Sequence, residues 1–552
     1  MCNWKMQEPM MKYLNLTPKE YIGEVDSYDE WSDGIHPENL FIHTDSYKTV
    51  CELSTLFVFG RRGTGKSAIL QMLNHEVRVN KRKEYDYCRI INQEDAYYDL
   101  SIQIRSSPLS NYPLEELVHT LKKKWLWAIE VSGMTTVLDD EGIPDIKKAK
   151  IISYLKSIGL LNGKKKKYKV FGVLTESLAF ELDKIDYAPA KVGAAIYRLG
   201  KKLLNSDFED AQDEFYNILK SENKNCLILV DSIERYNLKD KVSKSVIGGL
   251  IQALLELYHN RSMKLYSKAA FPSEILRHMS PANWGKTDDK IHIIKWRYAD
   301  LIKLLAKRYL KGVVDENTSL SSIKALSDKD LALDFIYRHF PRKITTRSGI
   351  EFDTISYIIS HTQKKPRQLI FLINSILTLA NYEKQDKLNL SEKMITTGIH
   401  ILLDTLFRET LHIYEQIYPN ATNIVLRALT ESEAYFEYNE LDKKLKEINS
   451  LLSNNTEMDD ITKDDVKNLL LESGVLGIGK EKHSLANNKY ILVTLFEYQI
   501  KGVLVFNNTS LCVLHPMLYQ VLQINADMNT YVYPKPSNEE ESMLLKDALK
   551  LN

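Results

Sequence analysis

Residues 60–67 read Gly60-Arg61-Arg62-Gly63-Thr64-Gly65-Lys66-Ser67, directly after the apolar run Leu56-Phe57-Val58-Phe59. Ala68, Ile69, Leu70, Met72 and Leu73 follow at helical spacing. Strand, glycine-rich turn and helix in that order open a doubly wound α/β domain. The pattern GxxxxGK[ST] gains its meaning from that context. Glycines let consecutive backbone N–H groups curl around phosphate oxygens, and the helix N-terminus adds a favourable dipole. Lys66 supplies a point charge to the same phosphates, and Ser67 offers a hydroxyl to Mg²⁺. Residues Gly60, Arg61, Arg62, Gly63, Thr64, Gly65, Lys66, Ser67 and Ala68 are therefore the expected cradle for ATP.

Such a loop needs a second carboxylate for the metal. Asp231 ends the most apolar run in the chain, Cys226-Leu227-Ile228-Leu229-Val230. Alone, an Asp there would read as a turn or helix cap; downstream of the loop it reads as the Mg²⁺ partner of Ser67. The next residue is Ser232, where many ATPases carry the acid that activates water, so slow turnover is expected. Glu234 is the nearest carboxylate. It is either the general base or a surface residue beside Arg235.

With 552 residues the chain exceeds what one hydrophobic core supports, so at least two domains are expected. Apolar residues are 44% and charged residues 27%, a balance that suits a globular protein. Lys+Arg 74 against Asp+Glu 73 leaves a formal charge of +1, so any nucleic-acid binding must rest on a local patch. The five cysteines (Cys2, Cys51, Cys88, Cys226, Cys512) are scattered, with neither a disulfide framework nor zinc spacing. The first residues lack the apolar segment of a signal peptide, and no apolar run has the length of a membrane span. A cytoplasmic protein without membrane contact is the expectation.

Further along, Tyr87–Ile91, Lys264–Phe271 (stopped by Pro272) and Ile291–Ile294 read as strands. The run Lys164–Lys169 reads as a solvated loop. From about residue 298 the pattern turns helical, with Leu301, Leu304, Leu305 and Tyr309 on one face. Pro366 opens a helix whose apolar face carries Leu369, Ile370, Ile373 and Leu377. Thr462–Asp465 reads as a capping box, and Ser473-Gly474 as that helix's stop. Tyr490–Phe496 and Gly502–Phe506 read as a hairpin.

The loop at 60–67, the Asp231 strand and the later His361-Thr362-Gln363-Lys364-Lys365-Pro366-Arg367-Gln368-Leu369 together resemble the AAA+/STAND branch of P-loop ATPases. Within it the likeness is to origin-recognition-type ATPases and to STAND-like ATPases of bacterial anti-phage defence. The resemblance implies that Arg367, opening a lid helix, reaches the γ-phosphate. It also makes Ile294-Lys295-Trp296-Arg297 the start of the lid, and Arg277 either a trans arginine finger or an exposed helical residue. Lys268 is the one charged residue inside the strand where a polar sensor is expected.

The organisation implied is an arm at 1–50 packing on the first domain and a P-loop core at 51–296 with a helical insertion at 110–220. A helical lid at 297–409, a winged-helix-like domain at 410–530 and a tail at 531–552 complete it. The function implied is an ATP-dependent switch that controls self-assembly or an effector protein. A DNA-binding ATPase of the origin-recognition or transposition-helper kind is the rival. The helix at 463–473 carries two Lys against Asp464, Asp465 and Glu472, which favours a protein contact over a major groove.

Overall fold

The computed structural model describes residues 20–23, 37–79, 81–91, 104–105, 113–162, 165–166, 170, 204–231, 240–276, 287–314, 320–346, 349–452, 461–500, 504–524 and 529–551. The chain divides into two units. One holds Asp45–Arg61 and Lys66–Ile294; the other holds Met1–Thr44, the loop residues Arg62–Gly65 and Lys295–Asn552.

The first unit is a parallel sheet wrapped in helices. Helix α1 (Asp45–Cys51) leads to β1 (Phe57–Gly60) and α2 (Lys66–Arg78), then β2 (Tyr87–Ile91). Helix α3 (Leu114–Leu138), α4 (Ala149–Ser157), a small hairpin of β3 (Leu161–Asn162) and β4 (Lys165–Lys166), and α5 (Ser206–Ser221) follow. Strand β5 (Cys226–Val230), α6 (Lys241–His259), β6 (Leu265–Pro272) and β7 (Ile291–Ile293) complete the unit. The strand order is β2-β5-β6-β1-β7, and every pairing is parallel. Every residue of β1 and β5 is buried, as expected of strands covered by helices on both faces. This is a doubly wound P-loop core.

The long stretch between the glycine loop and Asp231 contributes to that core. Helix α3 packs along α6 and against β2 and β5. Its Trp125 is 1% exposed and donates its indole N–H to the Val246 carbonyl at 3.1 Å. Helix α5 lies on α3 and α4, with Phe215 filling the space where a side chain at Gly133 would stand. The lysine run expected as a loop contributes Lys165 and Lys166 to β4; the rest of it lies outside the described residues.

Lys268 is 2% exposed and serves the end of the sheet opposite the glycine loop. Its ammonium donates to the carbonyls of Glu52 and Thr55, at 2.6 and 2.7 Å, in the turn that enters β1. It therefore fixes a turn and is not a sensor at the strand's C-terminal end. Burial pushes its ammonium down to about 7. An unfolded lysine titrates near 10.4, so between about pH 7 and 10 the unfolded chain holds the proton more firmly. The penalty for burying this charge is complete below pH 7 and is relieved as pH rises. Between pH 7 and 9 the wild type should gain roughly 2 kcal/mol from this group, and Lys268→Met should lack that gain. Urea unfolding of both proteins at the two pH values checks this; parallel pH dependences would refute it.

The second unit begins with lid helices. Helix α7 (Tyr298–Tyr309), α8 (Lys329–Ile336), a hairpin of β8 (Lys343–Thr345) and β9 (Glu351–Asp353), α9 (Thr354–Ser360), α10 (Pro366–Tyr382) and α11 (Glu392–His412) follow in order. Asp353 caps α9 through the Ser356 amide, and Ser391 caps α11. Proline takes the first position of α10, where a missing N–H costs nothing, and Lys365 before it is extended. Leu369, Ile370, Ile373 and Leu377 are all buried, as expected of its apolar face. Of the arm expected at 1–50, Asp45–Val50 lies in the first unit and the described residues before it lie in the second. Residues 20–23 pack on the lid: the Ile22 amide donates to Asn374, and Arg308 donates to the Ile22 carbonyl, both at 3.0 Å.

The remainder is winged-helix-like: α12 (Ala421–Leu429), β10 (Tyr435–Glu437), α13 (Tyr438–Leu452), α14 (Lys463–Glu472), β11 (Leu476–Ser484), β12 (Tyr490–Leu495), β13 (Leu511–Leu514), β14 (Thr530–Pro534) and α15 (Glu539–Leu551). The capping box at Thr462 forms, with Asp465 returning to the Thr462 amide at 2.9 Å. The hairpin differs from expectation. Strand β12 pairs with β11, whereas Leu504–Phe506 lie in no strand, and Gly502 lies outside the described residues. Gly477 permits the close approach, because a Cβ there would stand 2.7 Å from the Phe496 ring. Residues 531–552, expected as a tail, carry most of β14, which pairs in parallel with β12, and α15. Among the described residues, no helix is long and apolar enough to cross a membrane.

Candidate nucleotide site

The sharp turn from β1 into α2 is made by residues that suit it. Gly63 and Gly65 have φ of +85° and +84°, a region where a side chain is strained. Lys66 begins α2 and is 3% exposed. Its ammonium folds under the loop, donating to the carbonyls of Gly60 at 3.1 Å and Arg61 at 3.4 Å. Arg61, Arg62, Ser67 and Ala68 are half-buried, and Thr64 is buried.

Ser67 and Asp231 are 164 positions apart in sequence and meet in space. The Ser67 hydroxyl donates to Asp231 Oδ1 at 3.2 Å. Two elements bring them together: the first turn of α2 carries the serine, and the end of β5 carries the aspartate, which is 2% exposed. The Asp231 amide continues the β2 pairing by donating to the Ile91 carbonyl at 3.1 Å. A hydroxyl and a carboxylate oxygen side by side are the hard donors that Mg²⁺ takes, and their spacing suits neighbouring positions of an octahedral shell. The residues present fit that ion.

The loop tip, Arg62–Gly65, belongs with the lid-bearing unit. Arg367, second residue of α10, donates its amide to the Gly63 carbonyl at 3.3 Å. A Cβ at Gly63 would stand 3.0 Å from the Arg367 Cβ, so glycine there serves this contact as well as the turn. Trp296 donates its indole N–H to the Thr64 carbonyl at 2.9 Å. The sequence marks Trp296 only as part of the start of the lid; nothing local to it announces a grip on the loop.

The structure thus groups Lys66, Ser67 and Asp231 in one unit, and Gly63, Thr64, Trp296 and Arg367 in the other. Ser232, Glu234, Arg235 and Arg277 lie outside the described residues.

Neither protein-family models nor curated proteins give a match to the chain. Solved structures do. Cdc6p from Pyrobaculum aerophilum aligns over 90% of this chain and 88% of its own, at 10% identity and a TM-score of 0.27. The ORC1 protein of Aeropyrum pernix in complex with DNA aligns over 94% and 96%, at 10% identity and a TM-score of 0.33. The ORC2 protein of Aeropyrum pernix, in its ADPNP–ADP complexes, aligns over 98% and 97%, at 11% identity and a TM-score of 0.33. At such scores the likeness carries no weight for function. The chain's own strand order, glycine loop and Ser67–Asp231 contact carry it instead.

Proposed function

We propose that the chain is an ATP- and Mg²⁺-binding AAA+ ATPase that works as a slow molecular switch. The observation that supports it best is the 3.2 Å contact between Ser67 and Asp231, in a chain whose loop glycines adopt left-handed backbone. Loop amides from Gly63 to Ser67 hold the β- and γ-phosphates, and Lys66 moves its ammonium from the loop carbonyls to phosphate oxygens. Ser67 and Asp231 hold Mg²⁺, which when bound neutralises phosphate charge. Arg367 reads the γ-phosphate and so separates ATP from ADP. Glu234 serves as the general base that orients the attacking water, and Ser232 beside Asp231 keeps turnover slow.

The output is control of assembly or of an effector protein rather than DNA reading. Two contacts favour this. Lys463 of α14 is paired with Asp442, and Lys467 donates to the Tyr438 hydroxyl at 2.9 Å, so both cations face α13. A groove-reading helix would present them to phosphates and bases. Affinity for duplex DNA that falls steeply with salt would overturn this choice. A nuclease or other effector gene beside this one would support the anti-phage setting.

Metal removal tests the site. ATP titrated calorimetrically into the wild type should bind at least about tenfold more weakly in EDTA than in Mg²⁺, since the ion screens charge that the protein otherwise meets alone. Equal affinity in the two buffers would remove Ser67 and Asp231 from the site.

A further inference from the structure

The segment leading into Arg367 is held by the winged-helix-like domain. The hydroxyls of Ser360 and Tyr531 of β14 lie 2.8 Å apart. Gln363 donates its side-chain amide to the Ser473 carbonyl, at the end of α14, at 2.7 Å. Lys364 donates to both carboxylate oxygens of Glu541, at 2.7 and 2.6 Å, and to the Ser537 hydroxyl at 2.9 Å. This ion pair is enclosed, with the side chains of Lys364 and Glu541 only 14% and 4% exposed. Lys364 also takes a φ of +54°, a left-handed backbone unusual for a side-chain-bearing residue.

Glu541 is itself fixed at the start of α15. Its carboxylate accepts from the Ser537 amide at 2.8 Å, and its amide donates to Asn538 Oδ1 at 2.9 Å. Only Lys365 and the conformationally rigid Pro366 separate Lys364 from Arg367, whose amide is bonded to the Gly63 carbonyl. An unbroken series of contacts therefore runs from α15 through Glu541, Lys364 and Pro366 to the glycine loop.

We propose that Glu541 is a positioning residue for Arg367, and that docking of α15 is coupled to recognition of the γ-phosphate. The inference rests on the nucleotide reading above. Lys364 is already partly exposed, so releasing α15 turns its ammonium to water and relaxes the backbone turn that aims Arg367. A partner that captures α15 would thereby lower the preference for ATP over ADP. Coupling is reciprocal, so ATP must in turn hold α15 more firmly than ADP does.

The test uses the full chain. Glu541→Gln should lower the ratio of ATP to ADP affinity, measured calorimetrically, by about tenfold, with ADP affinity within about threefold of wild type. The conservative Lys364→Arg, which keeps the cation facing Glu541 and leaves the Ser537–Glu541 contact in place, should keep most of the ratio. Hydrogen exchange of the wild type needs no variant: amides at the start of α15 should exchange more slowly with ATP than with ADP. Wild-type protein that binds neither nucleotide defeats the nucleotide reading and this inference with it. Wild-type protein that discriminates ATP from ADP, joined to an unchanged ratio in Glu541→Gln or equal exchange of α15 in both nucleotides, overturns this inference alone.

Discussion

Lys66→Ala should weaken ATP binding by at least about a hundredfold while the fold persists, because a charge-assisted contact to phosphate is among the strongest single polar interactions a loop can make. The side chain is almost completely enclosed, with its ammonium on the Gly60 and Arg61 carbonyls. That is unlike the exposed lysine a bare loop would suggest. Its removal therefore leaves two carbonyls short of a donor, and about 1 kcal/mol of stability should go with it. The two effects separate by measurement. Calorimetric titration reads the affinity and thermal unfolding without nucleotide reads the fold. A variant that binds ATP as the wild type does would dismiss the loop as the site. A variant that cannot fold would assign Lys66 a structural role first.

The second large effect concerns discrimination. Arg367 meets the loop at the Gly63 carbonyl, and its guanidinium is proposed to reach the γ-phosphate, which ADP lacks. A ligand shifts a conformational equilibrium only through interactions that differ between the two states. Arg367→Ala should therefore lower ATP affinity by roughly ten- to a hundredfold and ADP affinity by no more than about threefold. Parallel losses for both nucleotides would mean that the residue supports the loop through its backbone contact and reads nothing.

How much of this the sequence disclosed depended on how local each requirement is. The glycine loop is legible because turn, helix start and phosphate cradle all fall within eight consecutive residues. Asp231 is legible because a fully buried parallel strand is a continuous apolar run, and the aspartate ends it. Pro366-Arg367 is legible because proline marks a helix start by its own geometry. Strand β11 escapes for the opposite reason. Beyond Ile478 it reads Gly-Lys-Glu-Lys-His-Ser and is exposed or half-exposed, so no alternation announces it, and the pairing with β12 creates the strand. The Lys364–Glu541 pair spans 177 positions, and the indole of Trp296 reaches a loop 232 positions away. Contacts of that range leave no periodic trace. Lys268 misleads because a charge inside a sensor strand draws attention to the wrong end of it. Residues 20–23 of the arm mislead because their docking onto Asn374 and Arg308 uses backbone groups that any sequence possesses.

A switch of this kind changes state with ATP and not with ADP. Sedimentation velocity of the wild type, in Mg²⁺ with saturating ATP and then with saturating ADP, addresses it most directly. Binding of both nucleotides is first established by calorimetry. The sedimentation coefficient should shift with ATP, by compaction or by assembly, and stay at the nucleotide-free value with ADP. Superimposable distributions in the two nucleotides would contradict it, and would leave a nucleotide-binding protein that is not a switch.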